Sequence, residues 1–359
     1  MRLRMRRPPC RPIAMDLGAR ELRFLQLDQS GTAIASAAAH PLPQGRFDIE
    51  AHLAAASEAV AAMASNPMWL GRRVVVALPA ALVTMAHLKL EQGEDLDTAV
   101  HTRLQDVGQD PLVRTIDVSC PTKRTRGVLC IAMPREVVLR YVAMLHQYRY
   151  DITGVFAPAS TLLRAFRHVN RRDGDADTAT MYLDLAGTEC TVAVGHGSQL
   201  VAARCIHTAP LQSSTETTTA TQPEAAPVAA ECSNSDIMTT INRRVDQGSM
   251  SLPSVPHAAG AHNAPTELCD ELRMCVRHYQ GLFHEVPVER IVFTGDGAMA
   301  AGPCRDIARN LGLPAQIGDP LARWDASTTN VAATDWNLQL RPQWTIAAGL
   351  AAHNEEADA

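Results

Sequence analysis

Aromatic residues are scarce, at 4% of the 359-residue chain, while hydrophobic residues as a whole reach 46%. The cores must therefore be aliphatic, built from Ala, Val and Leu. No two of the nine cysteines form a CxxC pair or a Cys/His cluster at metal spacing, which reads as reduced thiols in a cytosolic protein. The thirteen histidines are dispersed, and none is singled out as a ligand. No apolar run is long enough to span a bilayer. Arg2, Arg4, Arg6, Arg7 and Arg11 are not followed by the apolar stretch of a signal peptide, so residues 1–12 read as a disordered basic tail. A net charge of −5 is too mild to indicate a nucleic-acid partner.

What is present, first, is an internal echo. Ile13-Ala14-Met15-Asp16-Leu17-Gly18 leads into Leu22, Phe24, Leu25 and Leu27. Met181-Tyr182-Leu183-Asp184-Leu185-Ala186-Gly187 leads into Val192 and Val194, then Leu200 and Val201. In each, an apolar strand ends at Asp-Leu, a glycine turn follows, and two more strands come after. The two aspartates stand 184 − 16 = 168 positions apart, a spacing suited to a duplicated domain.

Between and after these copies the apolar periodicity predicts further elements. Ile49 to Ser65 reads as a helix and Arg73 to Leu78 as a buried strand. An α+β unit follows, with strands at Leu82–Leu90, Val113–Cys120 and Gly127–Met133. Its helices are Asp95–Val107 and Arg135–Gln147, and a helix over Ser160–Phe166 returns to the main body. Residues 208–263 are rich in Ser, Thr, Ala and Pro and read as a flexible insertion, with one short helix at Ile237–Val245. Order resumes with a helix capped by Thr266, a strand at Arg290–Thr294 and a helix from Pro303 to Leu311 closed by Gly312. Leu313–Ile317 is a strand and Trp344–Ala352 a final helix. Trp324, Trp336 and Trp344 read as packing residues.

The glycine turns carry chemistry. A glycine turn offers unpaired backbone N–H groups to phosphate oxygens. An aspartate at the strand end suits Mg²⁺ held through water. Two such turns facing each other would grip a triphosphate, and a third, Gly295-Asp296-Gly297-Ala298, would take the nucleoside end. The plain alternative is that Asp16 and Asp184 cap turns and the glycines only form them.

These three turns resemble the phosphate 1, phosphate 2 and adenosine motifs of the actin, Hsp70 and sugar-kinase superfamily. Within it the chain most resembles the PilM family of type IV pilus assembly proteins, relatives of FtsA. The resemblance covers roughly residues 13–207 and 266–352. It implies an α/β fold of duplicated actin-like (ribonuclease H-like) domains with an inserted α+β subdomain of SHS2 type. On that reading residues 13–80 and 151–178 form the first actin-like domain and 81–150 the insert. Residues 179–207 and 264–353 form the second domain, and 354–359 an acidic tail. The resemblance further implies ATP and Mg²⁺ as ligands. Asp16, Gly18, Arg23, Asp184, Gly187, Thr188, Glu271, Gly295 and Gly297 would lie at the nucleotide, with Asp16 and Asp184 on Mg²⁺ through water. It implies a cytoplasmic protein, peripheral to the inner membrane through partners and without a span of its own. Those partners would be the cytoplasmic tail of a PilN-like bitopic protein and other platform proteins, and the family leaves room for a homo-oligomer.

The chain departs from the family pattern in ways that weaken catalysis. The first turn continues Ala19-Arg20-Glu21, where small hydroxyl residues are usual, and Arg23 stands where Lys is expected. Ala186 replaces a glycine, and Asp296 sits between the glycines of the third turn. At most a weak ATPase is expected, and a scaffold without turnover is consistent with these changes. A sugar-kinase-like phosphotransferase would need a general-base Asp, and no convincing candidate is visible. An FtsA-like membrane-tethered filament protein would need an amphipathic anchor, and the last residues are acidic.

Overall fold

The computed structural model describes residues 11–43, 47–91, 93–107, 110–118, 126–168, 178–208, 266–325 and 338–355. The basic tail (apart from its last two residues), the insertion from 209 onward with its short helix, Trp336 and the end of the acidic tail lie outside the described residues.

The first half opens with β1 (Ile13–Leu17), β2 (Glu21–Leu27) and β3 (Ile34–Pro41), followed by α1 (Ile49–Ser65) and β4 (Arg73–Ala77). After an insert come β8 (Asp151–Phe156) and α4 (Pro158–Ala165). The second half repeats the scheme with β9 (Ala179–Ala186), β10 (Glu189–His196) and β11 (Gln199–His207). Then come α5 (Thr266–Leu282), β12 (Val288–Thr294), α6 (Ala301–Leu311), β13 (Ala315–Ile317) and α7 (Thr345–Ala351). The sheets run β3-β2-β1-β4-β8 and β11-β10-β9-β12-β13. Numbered within its own half, each has the order 3-2-1-4-5, so the echo in the sequence is an echo of topology.

Strand alternation decides which core each residue joins. In β1, Ile13, Met15 and Leu17 turn to one core and Ala14 to the other. In β4, Val74 and Val76 turn one way and Val75 and Ala77 the other. One core lies between the first sheet and α1, with Ala56 and Val60. The other is shared by both halves and joins Ala14, Leu25 and Val75 to Met181, Leu183 and Val194.

Two short helices run through this shared core and cross over. Helix α4, from the first half, lies against β9, β10 and β11. Helix α7, from the second half, lies against β1, β2 and β4. They touch each other where Gly349 of α7 meets α4. A Cβ on Gly349 would stand 2.0 Å from the Thr161 carbonyl oxygen, so only glycine permits this approach.

The insert holds β5 (Thr84–Leu90), α2 (Leu96–Arg103), β6 (Leu112–Asp117), β7 (Arg126–Met133) and α3 (Arg135–Gln147). Its sheet runs β5-β7-β6. Val128, Cys130 and Ala132 of β7 form a small core, against which Val100 of α2 packs, and β5 packs on β11. Helix α3 instead rests on α1 and β8, with Val138 and Tyr141 in the first-sheet core.

Several elements differ from the sequence reading. The helix expected over Asp95–Val107 stops at Arg103, and Gln105–Val107 tightens into a 3-10 turn. Helix α4 starts at Pro158, pre-organised for a first turn, instead of Ser160. Helix α6 starts two residues before Pro303. Strand β8 was not read from the sequence at all. It carries Gly154 in its middle, and several of its side chains are only half-buried, so the alternation is faint.

Two glycines in helices make opposite predictions. Gly349→Ala should lower stability by about 1–3 kcal/mol, because overpacking outweighs the ~1 kcal/mol gain in helix propensity. Gly281→Ala, in α5, meets no heavy atom within 4 Å and should be neutral or stabilising. Urea denaturation of both variants checks this, and equal effects would contradict the close crossing of α4 and α7.

Candidate functional site: three turns over two buried aspartates

β1 and β9 are the central strands of their sheets, and each ends with its aspartate buried. Asp16 is 4% exposed and Asp184 7%. Burial pushes the Asp16 carboxyl up to about 7. The Arg23 guanidinium pulls it down, and the Asp184 and Glu21 carboxylates push it further up. Burial likewise raises Asp184 to about 6 against a hydrogen bond from Thr294 and the charge of Arg23, with Asp296 adding to the rise. Arg23 and Asp184 belong to different halves and act on each other, as Asp184 does on Asp16. The two strand ends therefore lie within electrostatic range of one another.

Local partners hold each acid. Arg23, directly across the β1–β2 ladder from Asp16, lies 3.7 Å from its Oδ2 and 2.5 Å from Glu21 Oε2. Thr294, at the end of β12, donates to Asp184 Oδ1 at 3.0 Å. The first turn is braced from behind. Its Gly18 carbonyl accepts from His52 Nε2 at 3.1 Å, and Tyr141 Oη lies 2.7 Å from His52 Nδ1. That assigns the Nε2–H tautomer and makes Tyr141 the donor to Nδ1. His52 comes from the first turn of α1 and Tyr141 from α3, so a chain of buried polar contacts links α3 to the first turn.

The three turns meet. Gly187 has φ +64°, and a Cβ there would stand 1.9 Å from Cδ of Arg20, in the first-half turn. The Gly187 N–H donates to Asp296 Oδ1 at 3.2 Å, and Arg20 Nη1 lies 4.0 Å from Asp296 Oδ2. Gly295, at φ +80°, abuts the second turn so closely that a Cβ would stand 2.6 Å from the Leu185 carbonyl oxygen. Gly297 follows within a 3-10 turn, its carbonyl accepting from the Ala300 N–H.

Asp16, Gly18, Arg23, Asp184, Gly187, Gly295 and Gly297 thus gather at the ends of β1, β9 and β12. Thr188, exposed in the β9–β10 turn, is beside them, and its carbonyl accepts from the Thr208 N–H. Glu271 is elsewhere engaged, in an ion pair with Arg204 of β11 at 2.9 Å. Sequence reasoning did not select Arg20, Thr294, His52 or Tyr141. Arg20 follows the first glycine by two residues, which is the one signal that pointed to it.

No protein-family model and no curated protein sequence matches the chain. Solved structures do. A chain of a PilM–PilN type IV pilus biogenesis complex superposes with a TM-score of 0.65 at 15% identity, over 96% of this chain and 98% of that one. The fold is actin-like. The ethanolamine utilisation protein EutJ from Carboxydothermus hydrogenoformans gives 0.46 at 12% identity, over 96% of this chain and 90% of that one. A Bacteroides thetaiotaomicron protein of actin-like ATPase fold gives 0.47 at 9% identity, over 86% and 91%.

The resemblance of the three turns to nucleotide-binding motifs implies ATP and Mg²⁺ between them. The residues as they lie do not fit a triphosphate. The Gly187 amide is taken by Asp296, the Arg20 side chain covers that turn, and Arg23 already pairs with Asp16. Among the described residues no group of three or more His, Cys, Asp or Glu is placed to hold a metal ion.

The raised carboxyl values make a pH prediction. In the unfolded chain both acids return to 3.8. Between that value and about 6–7 the folded protein holds protons that the unfolded chain has lost. Their contribution is therefore most favourable below pH 4 and is lost as pH rises through 7. A proton bound tenfold more tightly by the folded chain is worth about 1.4 kcal/mol. Asp16→Asn, which keeps the shape and removes the charge, should therefore gain on wild type between about pH 5 and pH 8. Urea midpoints of the two proteins across that range measure it, and a difference independent of pH would refute the buried, unfavourable charge.

Proposed function

We propose that the protein is an actin-like scaffold of a type IV pilus or related secretion platform. It would capture the cytoplasmic tail of a PilN-like bitopic inner-membrane protein and contact other platform proteins. The observation that carries this reading is the superposition on the PilM–PilN complex chain, which spans both chains almost end to end. On this reading the protein is cytoplasmic and reaches the membrane through its partners. No helix among the described residues is long and apolar enough to cross a membrane.

The insert supplies a surface suited to an extended peptide. β6 is an edge strand, paired among the described residues with β7 alone, and its Val113 is exposed. Leu139 of α3, in the same insert, is 54% exposed. An open strand edge can add a peptide strand, and exposed apolar side chains can anchor it. The residues 81–150 act here as the recognition unit, while the two actin-like domains hold it in place.

Phosphotransfer gains no support from the cleft. Of its acids, Asp16 is held by Arg23 and Asp184 by Thr294, and both are buried away from a substrate hydroxyl. The scaffold reading needs no general base and no hydrolysis.

The test is calorimetric titration with a synthetic peptide of the cytoplasmic tail of the bitopic pilus protein from the same organism. Saturable one-to-one binding is expected, weakened at least tenfold by Val113→Glu or Leu139→Glu. No binding by the wild-type protein, together with transfer of phosphate from ATP to a sugar, would replace this reading with the kinase one.

A further inference from the structure

One contact in the cleft joins three parts of the chain that are far apart in sequence. The Gly187 N–H points at a carboxylate oxygen of Asp296, 109 positions away. The other oxygen of that carboxylate faces Arg20 of the opposite half. Arg20 lies over Gly187, where any side chain would collide with it. An Asp that merely capped its own turn would bond to an amide one to three residues away. Asp296 instead reaches the second phosphate-type turn.

An oxyanion held by a glycine-turn amide and balanced by a guanidinium is how such turns hold phosphate oxygens. Here every part of that arrangement comes from the chain. We propose that the Asp296 carboxylate is a built-in anion, seated on the Gly187 amide in place of a phosphoryl oxygen and latched to the opposite half by Arg20. A phosphate could take that seat only by displacing Asp296, and its charge would then lie beside the displaced carboxylate. The half-exposed Arg20–Asp296 pair is a weak stabiliser in itself, with side chains 36% and 37% exposed. Its effect is competitive: the Gly187 amide is occupied without nucleotide, and polyanions are turned away. This does not depend on the pilus assignment, because it concerns only the cleft.

The probes are inorganic pyrophosphate and Mg²⁺-ATP, titrated calorimetrically into the full chain. Wild type should bind both weakly, and Asp296→Ala at least ten times more tightly. Asp296→Asn keeps the acceptor for Gly187 and loses the charge, so its affinity should fall between the two. A second readout is hydrogen exchange at the Gly187 amide. It should be protected in wild type, at least tenfold faster in Asp296→Ala, and slowed again by pyrophosphate. Wild-type binding as tight as that of either variant would overturn the proposal. So would absence of binding in all three proteins, or a Gly187 amide that exchanges freely in wild type. If Asp296→Ala fails to fold, Asp296→Asn and the wild-type exchange rate decide the matter.

Discussion

The crossing of α4 and α7 is the constraint from which the rest of the structure follows. Each helix leaves its own half and packs on the other half's sheet, and the two meet at Gly349 with almost no space between backbones. A shared apolar core follows, because each helix buries its apolar side chains against the other half's sheet. With the sheets pinned in this way, the carboxyl ends of β1 and β9 point at the same region. That brings two aspartates into each other's field and lets Arg20 reach Gly187. The raised carboxyl values, the three meeting turns and the latch across the cleft are all consequences of that geometry.

Much of this was legible in the sequence because it is local. Residues 13–17 and 179–185 are largely apolar runs ending in Asp-Leu, with glycine at the next position in the first and one further on in the second, and both are central strands buried on both faces. The span of α1 matched because its apolar spacing and its Asp48 cap agree, the carboxylate accepting from the Ala51 N–H at 2.9 Å. What was not legible depends on distant partners. Strand β8 is a strand because β4 pairs with it in parallel, and Gly154 hides it from any pattern. Glu271 faces Arg204 because of how α5 lies on β11, which helical periodicity does not reveal. His52 looked like one apolar-face histidine among thirteen, and only the fold shows it bracing the Gly18 carbonyl. Asp296 was visible as an odd residue between two glycines, but its partner stands 109 positions away.

The same geometry bears on function. A ligand bound between two halves shifts their equilibrium only by its differential affinity for the two states. A chain that supplies its own anion and its own guanidinium at that place has moved the closing contact from the ligand to itself. Such a molecule is suited to hold a fixed surface toward a partner. In the proposed function the insert is the part that meets a partner, with an edge strand at β6 and an exposed Leu139 on α3.

The central claim is that the two halves are held together by the chain's own contacts. Spin labels on Glu58 of α1 and Arg305 of α6, attached by chemistry that spares the native thiols, would report the separation of the halves directly; both positions are exposed. The account predicts a single narrow distance distribution in nucleotide-free protein that stays unchanged when Mg²⁺-ATP is added. A broad or two-peaked distribution that sharpens only with nucleotide would contradict it.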